Sequence, residues 1–112
     1  MGKKVTYPYH VVASAGESKE VTIVTNTEAR PLKITRIVTV FPLGDYGELY
    51  ISYWVGVKQV HPESGELNGD NVIWDDDVDI TIPSGSSLKL KYRNTNDTET
   101  REAFIHVIGE YE

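Results

Sequence analysis

The sequence lacks cysteine altogether, has one methionine and two phenylalanines, and contains no run approaching the ~20 apolar residues of a membrane-spanning helix. The absence of cysteine excludes a disulfide framework and a thiolate metal site. No apolar segment follows the two lysines near the start, so neither a Sec-type signal nor a membrane anchor is expected within this sequence.

Positive charge is also scarce, with 11 basic residues against 17 acidic ones and a net charge of −6. A field of that sign repels phosphate backbones and anionic lipid surfaces. We therefore expect neither a nucleic-acid partner nor a membrane partner.

Catalytic and metal-binding motifs are missing from the sequence. His10, His61 and His106 stand apart, without a His-x-His or His-Glu-x-x-His spacing. No Gly-x-Ser-x-Gly elbow and no glycine-rich phosphate loop before a helix occurs. A carboxylate pair such as Asp45 and Glu48 has no supporting pattern, so we expect a non-enzymatic protein without a cofactor.

Helical periodicity is nearly absent, whereas apolar residues recur at every second position. This alternation and the many β-branched residues favour pleated, half-buried strands. Pro8 would remove a ladder hydrogen bond, which predicts an edge strand or a bulge at that point. The predicted strands occupy residues 5–13, 19–27, 32–41, 48–60, 72–74, 78–82, 88–93 and 103–111.

Turn-forming residues separate these strands at short, regular intervals. The spacing, with no helix of crossover length, predicts an all-β fold: an antiparallel two-sheet β-sandwich of seven to eight strands, jelly-roll or immunoglobulin-like. A chain of 112 residues suits one such domain, spanning 1–112. The polar loop 62–71 is the longest connection and the one expected to be most mobile.

An approximate repeat links the two ends of the sequence. In each copy, a Gly/Ser turn leads into a strand that ends in Asn-Thr, whose side chains can hydrogen-bond the backbone as the chain reverses. Two pseudo-symmetric hairpins would explain the repeat, and so would the general reuse of turn chemistry in antiparallel proteins. The matched positions are Gly16, Ser18, Val21, Ile23, Asn26 and Thr27 against Gly85, Ser87, Leu90, Tyr92, Asn94 and Thr95.

The last third of the chain resembles a known group of proteins. The segment "DITIPSGSSLKLKYRNTNDTETREAFIHVIGEYE" is similar to the closing segment of small β-sandwich virion proteins of phages and archaeal viruses. The shared features are a Pro-x-Gly-Ser turn, a strand ending in Asn-Thr and a final Gly-Glu-Tyr. The resemblance implies a non-enzymatic structural or surface-display role in an oligomer, and it supplies no catalytic residue. The sequence leaves the location open between a virion and the cytoplasm.

An aspartate-rich stretch, "WDDDVD" at 74–79, has two interpretations. Asp75, Asp77 and Asp79 would share one side of an extended segment and could supply part of a Ca²⁺ site. A charged, solvated edge strand that discourages aggregation would carry the same residues, and we favour this interpretation.

The aromatic residues suggest two kinds of surface. Tyr46, Trp54 and Trp74 could form a carbohydrate site, because a pyranose ring stacks its C–H face on an aromatic ring. Alternatively, one tryptophan fills the core and the other lies in a subunit interface, where aromatic residues are also enriched, and we favour this interpretation. The sequence thus favours a structural homo-oligomer, with a carbohydrate-binding module, with or without Ca²⁺, as the alternative. The candidate interface residues are Tyr50, Trp54, Phe104 and Ile108.

Overall fold

The computed structural model describes residues 3–112, and every regular element in that range is a β-strand. Between residues 3 and 112 there is no helix with the length and apolar character needed to cross a membrane. The strands are β1 Lys3–Ala13, β2 Ser18–Thr25, β3 Leu32–Phe41, β4 Leu49–Val55, β5 Lys58–His61, β6 Val72–Ile82, β7 Ser87–Asn94 and β8 Arg101–Tyr111.

The strands form two four-stranded sheets, which we call sheet A (β1-β8-β3-β6) and sheet B (β2-β7-β4-β5). All neighbouring strands pair antiparallel. Early strands therefore pair with late ones, and each sheet alternates between the two halves of the chain. This interleaved order is that of an eight-stranded jelly roll. The predicted all-β sandwich is confirmed, and of the two expected topologies the structure has the jelly roll.

The core lies between the two sheets and is built from every second residue of each strand. Leu88, Leu90 and Tyr92 of β7 are buried, as their alternation with charged residues predicts. One polar contact crosses the core, where the hydroxyls of Thr39 and Tyr53 lie 2.8 Å apart with both residues fully buried. Burial raises the pKa of Tyr53 well above its usual value, so this phenol stays neutral.

Two of the predicted strand boundaries are wrong. The run 48–60 is a hairpin, because Gly56 adopts a left-handed φ of 60° and starts a two-residue turn between Val55 and Lys58. Val57, which continues the apolar alternation of Tyr53 and Val55 in the sequence, lies at the tip of that turn and is 98% exposed. Conversely, the two strands predicted at 72–74 and 78–82 are parts of one continuous strand, β6.

The edge position of β6 explains why its aspartates do not interrupt it, since their side chains can remain solvated there. β1 forms the other edge of sheet A, which agrees with the prediction from Pro8.

Two buried asparagines occupy equivalent corners of the sandwich. The Asn26 side chain donates to the carbonyl of Ile82 at the end of β6 and to that of Arg30, both at 2.9 Å. The Asn94 side chain donates in the same way to Ala13 at the end of β1, at 3.2 Å, and to Glu99, at 2.9 Å.

The backbone repeats this equivalence. The Asn26 N–H donates to Ser86, and the Asn94 N–H donates to Glu17. These equivalences define a pseudo-twofold axis between β2 and β7, which exchanges β1 with β6 and β3 with β8. Such an axis requires β2 to lie beside β7 and β3 to lie beside β8, and both pairs are hydrogen-bonded neighbours. The sequence repeat thus reflects pseudo-symmetry of the fold.

The loop between β3 and β4 packs against the Asn94 corner. Glu48 in this loop accepts hydrogen bonds from Asn96 at 3.1 Å and from Arg101 at 3.0 Å. These bonds lower the pKa of Glu48, with the Asn96 bond contributing most. The loop therefore fastens the start of β4 to the start of β8.

Asp45, in the same loop, is only 3% exposed. Its Oδ1 accepts the backbone N–H of Glu102 at 3.3 Å, whereas its buried Oδ2 has no hydrogen-bond partner. Burial is the main cause of the raised pKa of Asp45, and the nearby carboxylates of Glu102 and Asp70 add to it.

Candidate functional site

A groove crosses the outer face of sheet B, where side chains from adjacent strands lie in register. Tyr50, Ser52 and Trp54 point outward from β4, since the residues between them are buried. On the neighbouring strand β7, Arg93 pairs with Tyr50 and Lys91 pairs with Ser52. The alternation therefore places a row of aromatic residues beside a row of cations.

Each aromatic ring of this face is covered by a cation. The Lys91 Nζ lies 3.8 Å from the centroid of the Trp54 ring, and the Arg93 guanidinium carbon lies 4.2 Å from that of Tyr50. The Trp54 indole N–H donates to the Ser52 hydroxyl at 2.8 Å, which fixes the indole above the small serine. Cation–π attraction thus holds two charged groups against the sheet instead of leaving them extended in water.

Carboxylates flank the cations on both sides. Glu66 accepts three hydrogen bonds from Arg93, at 3.1 and 3.0 Å from Nε and at 2.9 Å from Nη2, and these bonds raise the pKa of Arg93. Glu20 on β2 lies 3.3 Å from the Lys89 ammonium and 3.8 Å from that of Lys91. Donors and acceptors therefore alternate across the face.

These side chains enclose a groove of about 570 Å³. Its cations are Lys19, Lys91 and Arg93, and its carboxylates are Glu20 and Glu66. The groove is thus locally basic in a protein whose net charge is −6. We call it the cationic groove and define it by Ser52, Trp54, Gln59, Glu66, Lys91 and Arg93.

The outer face of sheet A has a different chemistry. His10, Phe104, Val40 and Ile73 lie side by side on β1, β8, β3 and β6. The rings of His10 and Phe104 stack in parallel with their centroids 4.4 Å apart. Phe104 is 42% exposed and Ile73 is 67% exposed. We call these four residues the apolar row.

The candidate interface residues fall on opposite faces of the sandwich. Tyr50 and Trp54 belong to the outer face of sheet B, whereas Phe104 and Ile108 belong to that of sheet A. Phe104 is in the apolar row, and Ile108 lies further along β8, paired with Thr6 and Arg36. The structure therefore separates the predicted set into two surfaces.

The candidate ligand-binding aromatics are also dispersed. Trp54 lines the cationic groove, whereas Trp74 lies near the start of β6 and donates to the Asn68 carbonyl at 3.0 Å. Tyr46 is 72% exposed in the β3–β4 loop, with the Arg101 guanidinium carbon 5.5 Å from the centroid of its ring. Only Trp54 therefore belongs to a concave surface with converging polar groups.

Two of the three candidate calcium ligands, Asp75 and Asp79, are paired with basic residues of β3. Asp75 forms a bidentate pair with Arg36, at 2.7 and 2.6 Å, and this pair lowers the pKa of Asp75. Asp79 lies 3.2 Å from the Lys33 ammonium. Within residues 3–112 no three acidic, histidine or cysteine side chains are placed to hold a metal ion. The placement of Asp75, Asp77 and Asp79 supports the charged-edge interpretation.

The pair Asp45 and Glu48, considered above for acid–base chemistry, has structural roles. Glu48 is engaged by Arg101 and Asn96, and Asp45 is buried against the backbone of Glu102. Neither carboxylate lines the cationic groove.

Of the residues that define the cationic groove, the sequence alone indicates only Trp54 as a candidate site residue. Lys91 and Arg93 alternate with apolar residues along β7, and this alternation is typical of any strand with one solvated face. Gln59 reaches the groove because β5 pairs with β4, which places Gln59 opposite Trp54. Glu66 reaches it because the chain after β5 folds back along β4, where Leu67 and Ile51 exchange backbone hydrogen bonds. Only the register of β7 with β4 reveals that the cations meet the aromatic residues.

No protein-family model and no curated protein sequence matches the chain. Solved structures of viral proteins share its fold. A protein of tomato aspermy virus superposes with a TM-score of 0.58 at 12% identity, covering 98% of this chain and 76% of the viral one. A capsid structure of the Helicobacter pylori bacteriophage KHP30 gives a TM-score of 0.53 at 14% identity, covering 98% and 93%.

A protein of infectious bursal disease virus, strain Gx, superposes with a TM-score of 0.57 at 13% identity, covering 99% of this chain. The present chain spans 31% of that viral protein. The expected resemblance to β-sandwich virion proteins is thus confirmed for the fold, and it extends over nearly the whole chain instead of the last third. The chain therefore shares its jelly-roll fold with these viral proteins.

Proposed function

We propose that this protein is a non-enzymatic structural component that assembles with identical copies, as in a virion. The observation that carries the proposal is the apolar row on the outer face of sheet A. An antiparallel sheet normally presents polar side chains to water on its outer face. Here Phe104 and Ile73 are exposed within a continuous line that crosses all four strands.

The surroundings of the apolar row resemble the anatomy of a protein interface. The next row toward the middle of the strands contains Pro8, His106 and Val38, and the Arg36–Asp75 ion pair borders it. On the other side of the apolar row, near the start of β8, a carboxylate oxygen of Glu102 lies 3.6 Å from the His10 ring nitrogen. An apolar centre with a charged border is the usual arrangement of a specific contact.

A second copy of the chain is the partner that this surface favours. A symmetric pair would bring Phe104 of each copy toward the apolar row of the other, because a twofold contact uses the same patch twice. A stable contact of this kind buries roughly 800 Å² on each subunit, with aromatic residues contributing most of the binding energy. The shared fold with proteins of viral particles supports assembly as the purpose of the contact.

Light scattering coupled to size exclusion tests this proposal on the full chain. We expect a mass that is a multiple of 12.6 kDa at concentrations of about 100 µM. Phe104→Glu should return the mass to that of one chain, because the contact would bury an unpaired carboxylate. Val57→Glu is the matched control, since Val57 is 98% exposed at a hairpin tip outside the apolar row.

Two results would contradict the proposal. A wild-type mass of 12.6 kDa at every concentration would exclude stable self-association. An unchanged oligomer for folded Phe104→Glu would show that copies meet through another surface.

A further inference from the structure

We propose that the cationic groove on sheet B binds a small acidic saccharide, a sugar that carries one carboxylate. The groove combines three kinds of chemistry within about 570 Å³. It has an aromatic ring at its floor, a lysine ammonium held over that ring with an arginine on the same strand, and several hydrogen-bond acceptors around them.

The cations supply a site for the carboxylate. Lys91 is held 3.8 Å above the Trp54 ring, and Arg93 is oriented by its contacts with Tyr50 and Glu66. Lys19 lies at the border of the same groove. Charge-assisted hydrogen bonds from such groups are about twice as strong as neutral ones. Because the side chains are already ordered, less conformational entropy is lost on binding.

The acceptors suit the hydroxyl groups of a sugar. Gln59 donates its amide N–H groups to the carbonyls of Pro62 and Gly65, both at 2.8 Å, so its carbonyl oxygen is the group that can accept from a ligand. Ser52 accepts from Trp54 and can still donate its own hydroxyl proton. Glu20 and Glu66 provide further acceptors.

Charge distinguishes an acidic saccharide from other candidates. A polyanion such as nucleic acid would be repelled by the net charge of −6 and by the two carboxylates of the groove. A neutral sugar would make no charge-assisted contact with Lys19, Lys91 or Arg93. A single carboxylate among hydroxyl groups matches the three cations and two carboxylates that line the groove.

Fluorescence titration of the full chain with sodium glucuronate tests this inference. Trp74→Phe is introduced first, so that Trp54 is the remaining tryptophan and reports on the groove alone. We expect a saturable change with a dissociation constant on the order of 1 mM, typical of a ligand of this size in a shallow site. Glucose, which lacks the carboxylate, should bind at least about tenfold more weakly.

Two further variants separate the groove from the rest of the surface. Lys91→Gln should weaken glucuronate binding by roughly tenfold or more, because one charge-assisted hydrogen bond is lost, and should change glucose binding little. Lys58→Gln is the control, since Lys58 is an exposed cation of the same sheet and does not line the groove. Circular dichroism of each variant establishes that the fold is kept.

Four outcomes would overturn the inference. The first is the absence of a saturable response up to about 50 mM glucuronate, well above the expected constant. The second is equal binding of glucose, which would indicate a neutral-sugar site. The third is an equal response to sodium acetate, which would indicate a simple anion site. The fourth is a change in Trp54 emission with protein concentration alone, which would show that a second copy occupies the groove.

Discussion

The Asn26 and Asn94 corners have the same hydrogen bonds but different surroundings. Each asparagine donates to the last residue of a strand of sheet A and to a carbonyl of its own loop. Only the Asn94 corner is also held by the β3–β4 loop, through Glu48 and Asp45. The comparison separates the asparagine hydrogen bonds, which both corners have, from the contacts of the β3–β4 loop, which only the Asn94 corner has.

The shared interactions satisfy a requirement of the topology. Where the chain crosses from sheet B to sheet A, each asparagine lies beside the end of a sheet A strand and donates to a backbone carbonyl there, that of Ile82 on β6 or of Ala13 on β1. An asparagine side chain has a carbonyl and an amide, so it can replace a short piece of backbone at that point. The same chemistry therefore recurs wherever the jelly roll makes this crossing.

The largest effect is expected from Asn94→Ala. The substitution removes the donors to Ala13 and Glu99 and the acceptor for the Asn96 N–H, leaving buried backbone groups unpaired. At about 1 kcal/mol for each lost bond, with an added cost for the unpaired groups, the loss of stability is about 3 to 4 kcal/mol. Urea unfolding measures it, with the exposed Thr27→Ala as the control. A loss below about 1 kcal/mol would show that water replaces the side chain.

A slightly smaller effect is expected from Asn26→Ala. This side chain makes the equivalent bonds to Ile82, Arg30 and the Glu28 N–H, so the expected loss is about 3 kcal/mol. The same urea experiment gives the ratio of the two losses. If Asn26→Ala were the more destabilising substitution by a wide margin, the contacts of the β3–β4 loop with the Asn94 corner would not contribute to stability.

The contacts of the β3–β4 loop can be tested alone with Glu48→Gln. The change removes the negative charge that pairs with Arg101, whose side chain is 11% exposed, and should lower the Tm by about 2 to 5 °C at pH 7. Because hydrogen bonds lower the pKa of Glu48 in the fold, its stabilisation exists above its usual pKa of 4.5 and disappears as pH falls through the folded value. Wild type and variant should therefore converge in acid. Glu63→Gln, in an exposed loop position, is the control.

The smallest effect, and one of opposite sign, is expected from Asp45→Asn. Because burial raises the pKa of Asp45 above its usual 3.8, the protonated form favours folding, and this contribution is lost as pH rises through the folded value. An uncharged asparagine should raise the Tm at pH 7 by about 2 to 4 °C and reduce the difference between pH 4 and pH 7. Thermal melts across that range measure it, with exposed Asp97→Asn as the control. A lower Tm for Asp45→Asn at pH 7 would contradict the account.

The sequence predicted the class of fold because its signals are local. Alternation in β7 and turn residues such as Gly85 depend on near neighbours, and they indicated the strands correctly. The hairpin at Gly56 was missed because the alternation of apolar residues continues through it. The order of strands in each sheet depends on pairings between distant segments, which local patterns do not encode.

The candidate sites were less predictable for the same reason. Trp54 was recognised as a site residue from its type alone, but its cation comes from Lys91, 37 positions away along the chain. Phe104 was recognised as exposed apolar surface, whereas Ile73 was not, because its neighbour Val40 belongs to a strand that only the fold brings beside it. The register between paired strands, which composition does not reveal, decides which residues lie together on one surface.

The pairing of β1 with β8 has a consequence for the synthesis of the protein. Lys3 lies opposite Tyr111, so the first strand finds its place in sheet A only when the last strand is available. Residues up to about 111 must therefore have left the ribosome before β1 can dock. Contacts so distant along the chain also make folding slow, on a scale of milliseconds to seconds. During that interval the unfolded chain exposes the apolar residues of its future core, which makes it prone to aggregation.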